Sequence, residues 1–177
     1  MSSIKIIERK AERIVADTCG SRPPVKVDKI LNELGLSYKE HDLGVNVSGV
    51  LYIENGKGFI GYNPDESEVR RRFTLAHELG HYILHRFDRE LFVDQKKFKV
   101  MYRDESSSTG EIKQEREANA FAAALLMPKD MVLREVQKFI FDLAGEDEDM
   151  IKKLADKFEV STQAMTYRIA NLNLDLF

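Results

Sequence analysis

The chain has one cysteine, Cys19, in 177 residues. A single thiol cannot close an internal disulfide or build a cysteine zinc finger, and it suits a reducing compartment. Nor is there an excess of positive charge: 27 basic residues face 30 acidic ones, for a formal net charge of −3. A strongly basic nucleic-acid binder would look different, so direct nucleic-acid binding is not expected. No stretch approaches the roughly 18 apolar residues of a membrane span. The first residues alternate Ile4, Ile6 and Ile7 with charged ones, unlike the continuous apolar core of a signal peptide. These absences predict a cytoplasmic protein without a membrane partner. There is no internal repeat, and the sequence implies no particular oligomeric state.

What is present is enough for a core, since 43% of residues are hydrophobic. Residues 3–18 carry helical periodicity through Ile4, Ile7, Ala11, Ile14 and Val15. Ser21-Arg22-Pro23-Pro24 breaks it, and a second helix presents Val27, Ile30, Leu31 and Leu34, with Gly35 at its C′ position. The period then changes. Residues 36–43, 47–53 and 58–62 read as short strands, and Asn55-Gly56 predicts a type I′ hairpin turn. Asn63-Pro64-Asp65-Glu66 has the form of a capped helix start, with the helix running to about His85.

Residues 87–113 are less regular, with a strand expected at Phe98 to Tyr102 and a polar loop after it. Glu111 to Met127 forms a strong helix whose apolar stripe is Ala118, Phe121, Ala122, Leu125 and Leu126. Pro128 separates it from a helix at about 131–141. After an acidic connector at 144–149 come two short helices. Ser161 caps the second, with Val160 and Met165 placed as a hydrophobic staple. The predicted fold class is α+β: a small antiparallel sheet packed on the helix ending at His85, surrounding helices, and a C-terminal helical hairpin.

The helix at 63–85 carries His77-Glu78-Leu79-Gly80-His81, an H-E-x-x-H sequence. Its two histidines rise from one face about 6 Å apart along the axis, so both imidazoles can reach one Zn²⁺. Glu78 projects about 100° around the helix. It cannot easily ligate the same ion, but it can accept a proton from a water beside it. A catalytic zinc needs a third protein ligand and an open position. His85 continues the i,i+4 series but lies about 12 Å along the axis from His77, so it suits a supporting role or that of a cation at the helix C-terminus. No H-x-x-G-x-x-H continues from His81. The third ligand therefore comes from another helix, and the helix at 111–127 offers Glu111, Glu115 and Glu117. Glu115, Ala118, Asn119 and Ala122 share one face. That aims Glu115 inward and places Asn119 to accept a hydrogen bond from a ligand imidazole. Glu117, about 200° away, is the alternative third ligand or a solvent-facing charge.

Two segments together carry a family resemblance. Arg72-Phe73-Thr74-Leu75-Ala76-His77-Glu78-Leu79-Gly80-His81-Tyr82 resembles the core of the ImmA/IrrE metallopeptidases. Glu115-Arg116-Glu117-Ala118-Asn119-Ala120-Phe121-Ala122-Ala123-Ala124-Leu125-Leu126-Met127-Pro128 resembles their second motif. The order of elements agrees from Pro23-Pro24 to the final helix pair, while residues 87–110 are less family-like. The resemblance implies a gluzincin-like zinc site formed by His77, His81 and the acidic residue opening the second motif. Matching E-x-x-x-[N/D] onto this chain gives Glu115 and Asn119. It also implies narrow, regulated proteolysis of a protein substrate. That substrate is expected to be a DNA-binding helix-turn-helix repressor encoded nearby, whose loss derepresses a mobile element or stress response. Residues 1–145 would form the zinc metallopeptidase domain and 146–177 a helix-turn-helix-like pair packed on or appended to it.

Two other classes fit the same sequence: a DNA-binding regulator with a structural zinc, and a module that binds a repressor without cutting it. In the C-terminal pair, Lys157, Thr162, Gln163, Tyr167 and Arg168 have the spacing for nucleic-acid contact. A hairpin packed on the domain is the simpler expectation. Arg70-Arg71-Arg72 reads as a solvated charge run and Cys19 as a small buried hydrophobe. Tyr82 and Tyr167 are the candidates for oxyanion stabilisation, and the strand near Phe98 to Tyr102 for holding a peptide by β-augmentation.

Overall fold

The computed structural model describes residues 3–95, 110–142 and 150–173. The expected strand at 98–102 and the loops at 104–109 and 144–149 lie outside them. The elements are α1 (Ser3–Thr18), α2 (Val27–Glu33), β1 (Ser37–Glu40), β2 (Val47–Glu54), β3 (Lys57–Tyr62), α3 (Glu68–His85), β4 (Leu91–Gln95), α4 (Gly110–Leu126), α5 (Lys129–Asp142), α6 (Met150–Phe158) and α7 (Thr162–Asn171). The architecture is α+β and mostly helical.

Local sequence explains most boundaries. Helix α2 ends in a Schellman motif: Gly35 has φ of 71°, Leu36 N–H reaches Leu31 O at 2.9 Å and Gly35 N–H reaches Asn32 O at 3.1 Å. In the β2–β3 turn Asn55 and Gly56 both have positive φ, 51° and 77°, as a type I′ turn requires. Ser161 caps α7 by accepting from Ala164 N–H at 3.1 Å, with Val160 and Met165 both buried.

The sheet order is β1-β3-β2-β4. Strand β2 is antiparallel to both neighbours, but β1 joins β3 in parallel, so the sheet is mixed. Chain connectivity explains the difference. Glu40, the last residue of β1, and Gly49 near the start of β2 both register with Tyr62. The loop at 41–46 therefore crosses only the end of one strand. Asn63 braces that loop, its amide donating to Gly44 O at 2.9 Å and Val47 O at 3.3 Å. Its carbonyl oxygen takes the Asp65 N–H. Because Asn63 is committed there, Ser67 and not Asn63 caps α3, accepting from Arg70 N–H at 3.3 Å.

The inner face of the sheet buries Leu51, Ile53, Ile60 and Phe92 against α3. On the other side α3 crosses α4. There Gly80 permits a close approach: a Cβ at that position would lie 3.2 Å from both Cα and O of Ala118. Leu154, Ala155, Phe158, Met165 and Ile169 of the C-terminal pair join the same core.

Arg168, expected among possible nucleic-acid contacts, is buried. It donates to Met127 O at 2.9 Å, pairs with Glu8 and reaches Glu12 at 3.4 Å. Lys157 is paired with Glu135. Nor are the three arginines of α3 a solvated run. Arg70 pairs with Asp94 at 2.9 Å, Arg71 with Glu40 at 3.7 Å, and Arg72 with Glu159 at 3.2 Å. Cys19 is only partly buried, its thiol donating to Lys26 O at 3.4 Å.

Candidate metal centre

The middle of α3 is buried on all sides, which takes His77, Glu78 and His81 out of water. Across the Gly80–Ala118 contact, α4 delivers Glu115. His77 Nε2 and His81 Nε2 are 3.1 Å apart. The Glu115 carboxylate sets Oε2 at 3.3 Å from the first and Oε1 at 3.1 Å from the second. Among the described residues this is the one group of His, Cys, Asp and Glu whose ligand atoms could hold a metal ion, all lying within 4.8 Å of one another.

The donor set fits a cation. Zinc–ligand bonds of about 2.0–2.1 Å at tetrahedral angles separate donor atoms by about 3.3 Å, close to the spacing here. Proton placement agrees. Asn119 Oδ1 lies 3.1 Å from His77 Nδ1 and, being an acceptor, calls for the proton on Nδ1. The Nε2 lone pair then faces the cluster. Two imidazole lone pairs and a carboxylate converging in a buried space repel one another unless a positive charge lies between them. His77, His81 and Glu115 would therefore hold the ion, with Asn119 fixing the His77 tautomer.

Glu117, the alternative third ligand, is elsewhere: its Oε2 lies 3.0 Å from His85 Nε2. It does not face solvent either. With Ala118 at the helix crossing, Glu115 falls about 60° to one side and Glu117 about 100° to the other, so both flanks of α4 meet α3. His85 is buried behind His81, with the two Nδ1 atoms 3.3 Å apart.

Sequence reading missed β4. Its Phe92 ring stacks on His81 with centroids 4.6 Å apart, and its Asp94 pairs with Arg70, which also reaches Ser48 at 3.0 Å. Tyr82 is not free for oxyanion stabilisation, because its hydroxyl donates to Gly56 O at 2.9 Å across the hairpin turn. Tyr167 is exposed and lines a cleft of about 730 Å³ between α3, α4 and α7. That cleft also touches Phe73 and Asn119, both of which contact His77.

Burial depresses the His77 imidazole, but the Glu115 hydrogen bond and nearby carboxylates outweigh it and raise its pKa to about 9. Burial dominates at His81 and lowers it to about 4. At Glu115 burial acts upward, yet the hydrogen bonds from both histidines win and hold it at about 2. In the metal-free cluster burial pushes Glu78 up to about 8, so it is largely protonated at neutral pH and can act as a base only once a nearby positive charge favours its ionised form. The metal-free cluster thus holds a proton on His77 at neutral pH, and a cation must displace it. Since that proton is bound below about pH 9, metal affinity should weaken by up to about tenfold per pH unit below that value. Calorimetric titration with zinc at pH 7 in two buffers of different ionisation enthalpy should register release of at least about one proton per ion. Binding without proton release would contradict the placement of that proton.

A buried His–His–carboxylate cluster on two crossed helices, backed by a small sheet, defines a metallopeptidase-like class of α+β domain. The comparison with protein families agrees: the family model Peptidase_M78, described as an IrrE N-terminal-like domain, matches residues 31–170, and the chain belongs to this metallopeptidase family. Among solved structures, a Mycobacterium tuberculosis transcriptional regulator is similar over 93% of this chain, with a TM-score of 0.61 and 16% identity. At that identity the likeness is one of fold. The chain spans about half of that protein, 47% of its length. No curated protein matches the chain. Among the described residues no helix is long and apolar enough to cross a membrane.

Proposed function

We propose that the protein is a zinc-dependent endopeptidase with His77, His81 and Glu115 as metal ligands and Glu78 as general base. The observation that carries this reading is the state of Glu78. Both its carboxylate oxygens are buried without a hydrogen-bond partner, one residue from a metal-competent histidine. A carboxylate left so is costly to bury, and a reacting water is the partner it lacks. Gly49 of β2 keeps that space open, since a Cβ there would stand 3.0 Å from Glu78 Oε1 and 2.3 Å from Thr74 Cγ2.

When bound, a divalent cation supplies a Lewis acid that polarises the scissile carbonyl and acidifies the attacking water. Glu78 takes a proton from that water as its oxygen bonds to the carbonyl carbon, then delivers it to the nitrogen as the C–N bond breaks. Asn119 holds the His77 ring throughout. The cleft beside Phe73 and Asn119 offers a path for an extended peptide, with Val69, Leu126 and Val160 on its apolar wall.

For the substrate, family membership supports a protein, and we infer a DNA-binding helix-turn-helix repressor whose cleavage derepresses a mobile element or stress response in the cytoplasm. In this reading residues 1–145 are the peptidase domain and 146–177 a helical pair that helps to wall the cleft. Incubating the zinc-loaded wild type and Glu78→Gln with the repressor encoded beside this gene tests the proposal. Cleavage by the wild type alone is expected. Equal derepression by both, with no cut, would identify a sequestering module. Salt-dependent binding to the protein's own promoter, without cleavage, would identify a DNA-binding regulator.

A further inference from the structure

Beyond the three metal-competent groups, α3 and α4 bring together a second pair of side chains that neither proton transfer nor ligation uses. His85 is buried, Glu117 is mostly so, and the two are joined at 3.0 Å. His85 in turn meets His81 through facing Nδ1 atoms at 3.3 Å. The far end of this chain is a carboxylate, which only accepts, and its near end is a metal-competent imidazole.

We propose that Glu117 and His85 form a two-step positioning relay that fixes the tautomer and ring orientation of His81 when a cation occupies the cluster, resting on the metal-site reading above. Each proton position follows from the one before. Glu117 Oε2 accepts, so His85 carries a proton on Nε2. With Nε2 so committed, the Nδ1 of His85 is the acceptor for the Nδ1–H of His81. His81 is left with its Nε2 lone pair aimed at the space shared with His77 and Glu115. The reverse arrangement, with a neutral His85 protonated on Nδ1, would set a lone pair against the Glu117 carboxylate at 3.0 Å. It would also place a proton on His81 Nε2, where a cation must go.

Phe92 stabilises the arrangement from the sheet side, stacking on His81 at 4.6 Å and lying tilted over His85 at 6.4 Å. The two histidines are therefore supported unequally. His77 leans on the neutral amide of Asn119, whereas His81 leans on an anion through an intervening ring. A carboxylate behind a ligand imidazole strengthens it as a donor, and here that influence is passed across one further imidazole.

The direct test is long-range proton–nitrogen correlation NMR on zinc-loaded, ¹⁵N-labelled full-length protein. The expected pattern is a proton on Nδ1 of His81, a proton on Nε2 of His85, and none on Nδ1 of His85. Zinc affinity provides an independent readout. Glu117→Leu and His85→Phe should each weaken zinc binding about 10- to 100-fold, and Glu117→Gln, which keeps an acceptor at Oε1, should restore most of that loss. In cobalt-substituted protein the visible bands should shift for the first two variants and stay near wild type for Glu117→Gln. A merely structural role would not produce that ordering. If wild type takes up no stoichiometric zinc, the metal-site reading itself fails. If wild type binds zinc but His85 carries its proton on Nδ1, or folded Glu117→Leu and His85→Phe bind zinc as tightly as wild type, the relay alone is overturned. Should those variants not fold, the wild-type NMR pattern decides.

Discussion

Glu115→Ala is expected to strip zinc from the protein while Glu78→Gln keeps it, and both should be inactive. A four-ligand structural zinc site is worth about 10–16 kcal/mol, or about 2.5–4 kcal/mol per ligand. Losing the carboxylate should therefore weaken zinc roughly 10²- to 10³-fold. In the proposed reading Glu78 is the base and not a ligand, so Glu78→Gln should leave the metal stoichiometry near one. It should remove general-base catalysis worth about 10²–10⁴ in rate. Competition titration with a zinc-sensitive chelator, alongside peptide-bond cleavage, checks both variants. Zinc binding by Glu115→Ala equal to wild type would remove α4 from the metal site. Full activity in Glu78→Gln would remove the base.

The second large effect comes from a residue that touches no ion. Gly80 faces Ala118, and a side chain there meets backbone, which cannot swing aside as a flexible side chain can. Gly80→Ala needs α4 to yield by a few tenths of an ångström. Alanine's better helix propensity, about 0.5–1 kcal/mol, offsets much of the overpacking, so little net change in stability is expected. Gly80→Leu must push the helices apart, at about 1–3 kcal/mol. Because Glu115 is carried on the helix that moves, zinc affinity should fall by at least about 100-fold, approaching the loss of the ligand itself. Circular dichroism would establish that Gly80→Leu is still folded. If such a folded protein bound zinc like wild type, the close crossing would not be what positions Glu115.

Much of this site is legible in the sequence because its key contacts are local. His77, Glu78 and His81 sit on one helix, where i,i+4 spacing fixes their relation. The E-x-x-x-N spacing likewise set Glu115 and Asn119 on one face, the arrangement found opposite the two histidines. Glu117 reads from sequence as an alternative third ligand or a solvent-facing charge, and its pairing with His85 is hidden because helical angle alone does not reveal where a neighbouring helix crosses. Only the Gly80–Ala118 contact turns both flanks of α4 inward. Strand β4 escaped for a different reason. Leu91 and Val93 point outward and are partly exposed, while the acidic Asp94 is buried. With Phe92 buried between them, apolar residues fall on both faces and the alternation that marks a strand is lost, and the buried acid is tolerable only because Arg70, from another element, pairs with it. Likewise nothing near Arg168 signals burial, since its carboxylate partners come from α1.

That last connection ties α1 to α7. Shortening the chain by its first dozen residues would remove both Glu8 and Glu12 and strand a guanidinium in the interior. Such N-terminal trimming would thus act as a lesion at α7, loosening it from the body and opening one side of the cleft that Tyr167 and Arg168 line. Because the same residues, Ile7 and Ala11 among them, are buried in the core that α1 forms with α4, an expression variant lacking the leading helix should show a lower melting temperature together with weaker zinc binding.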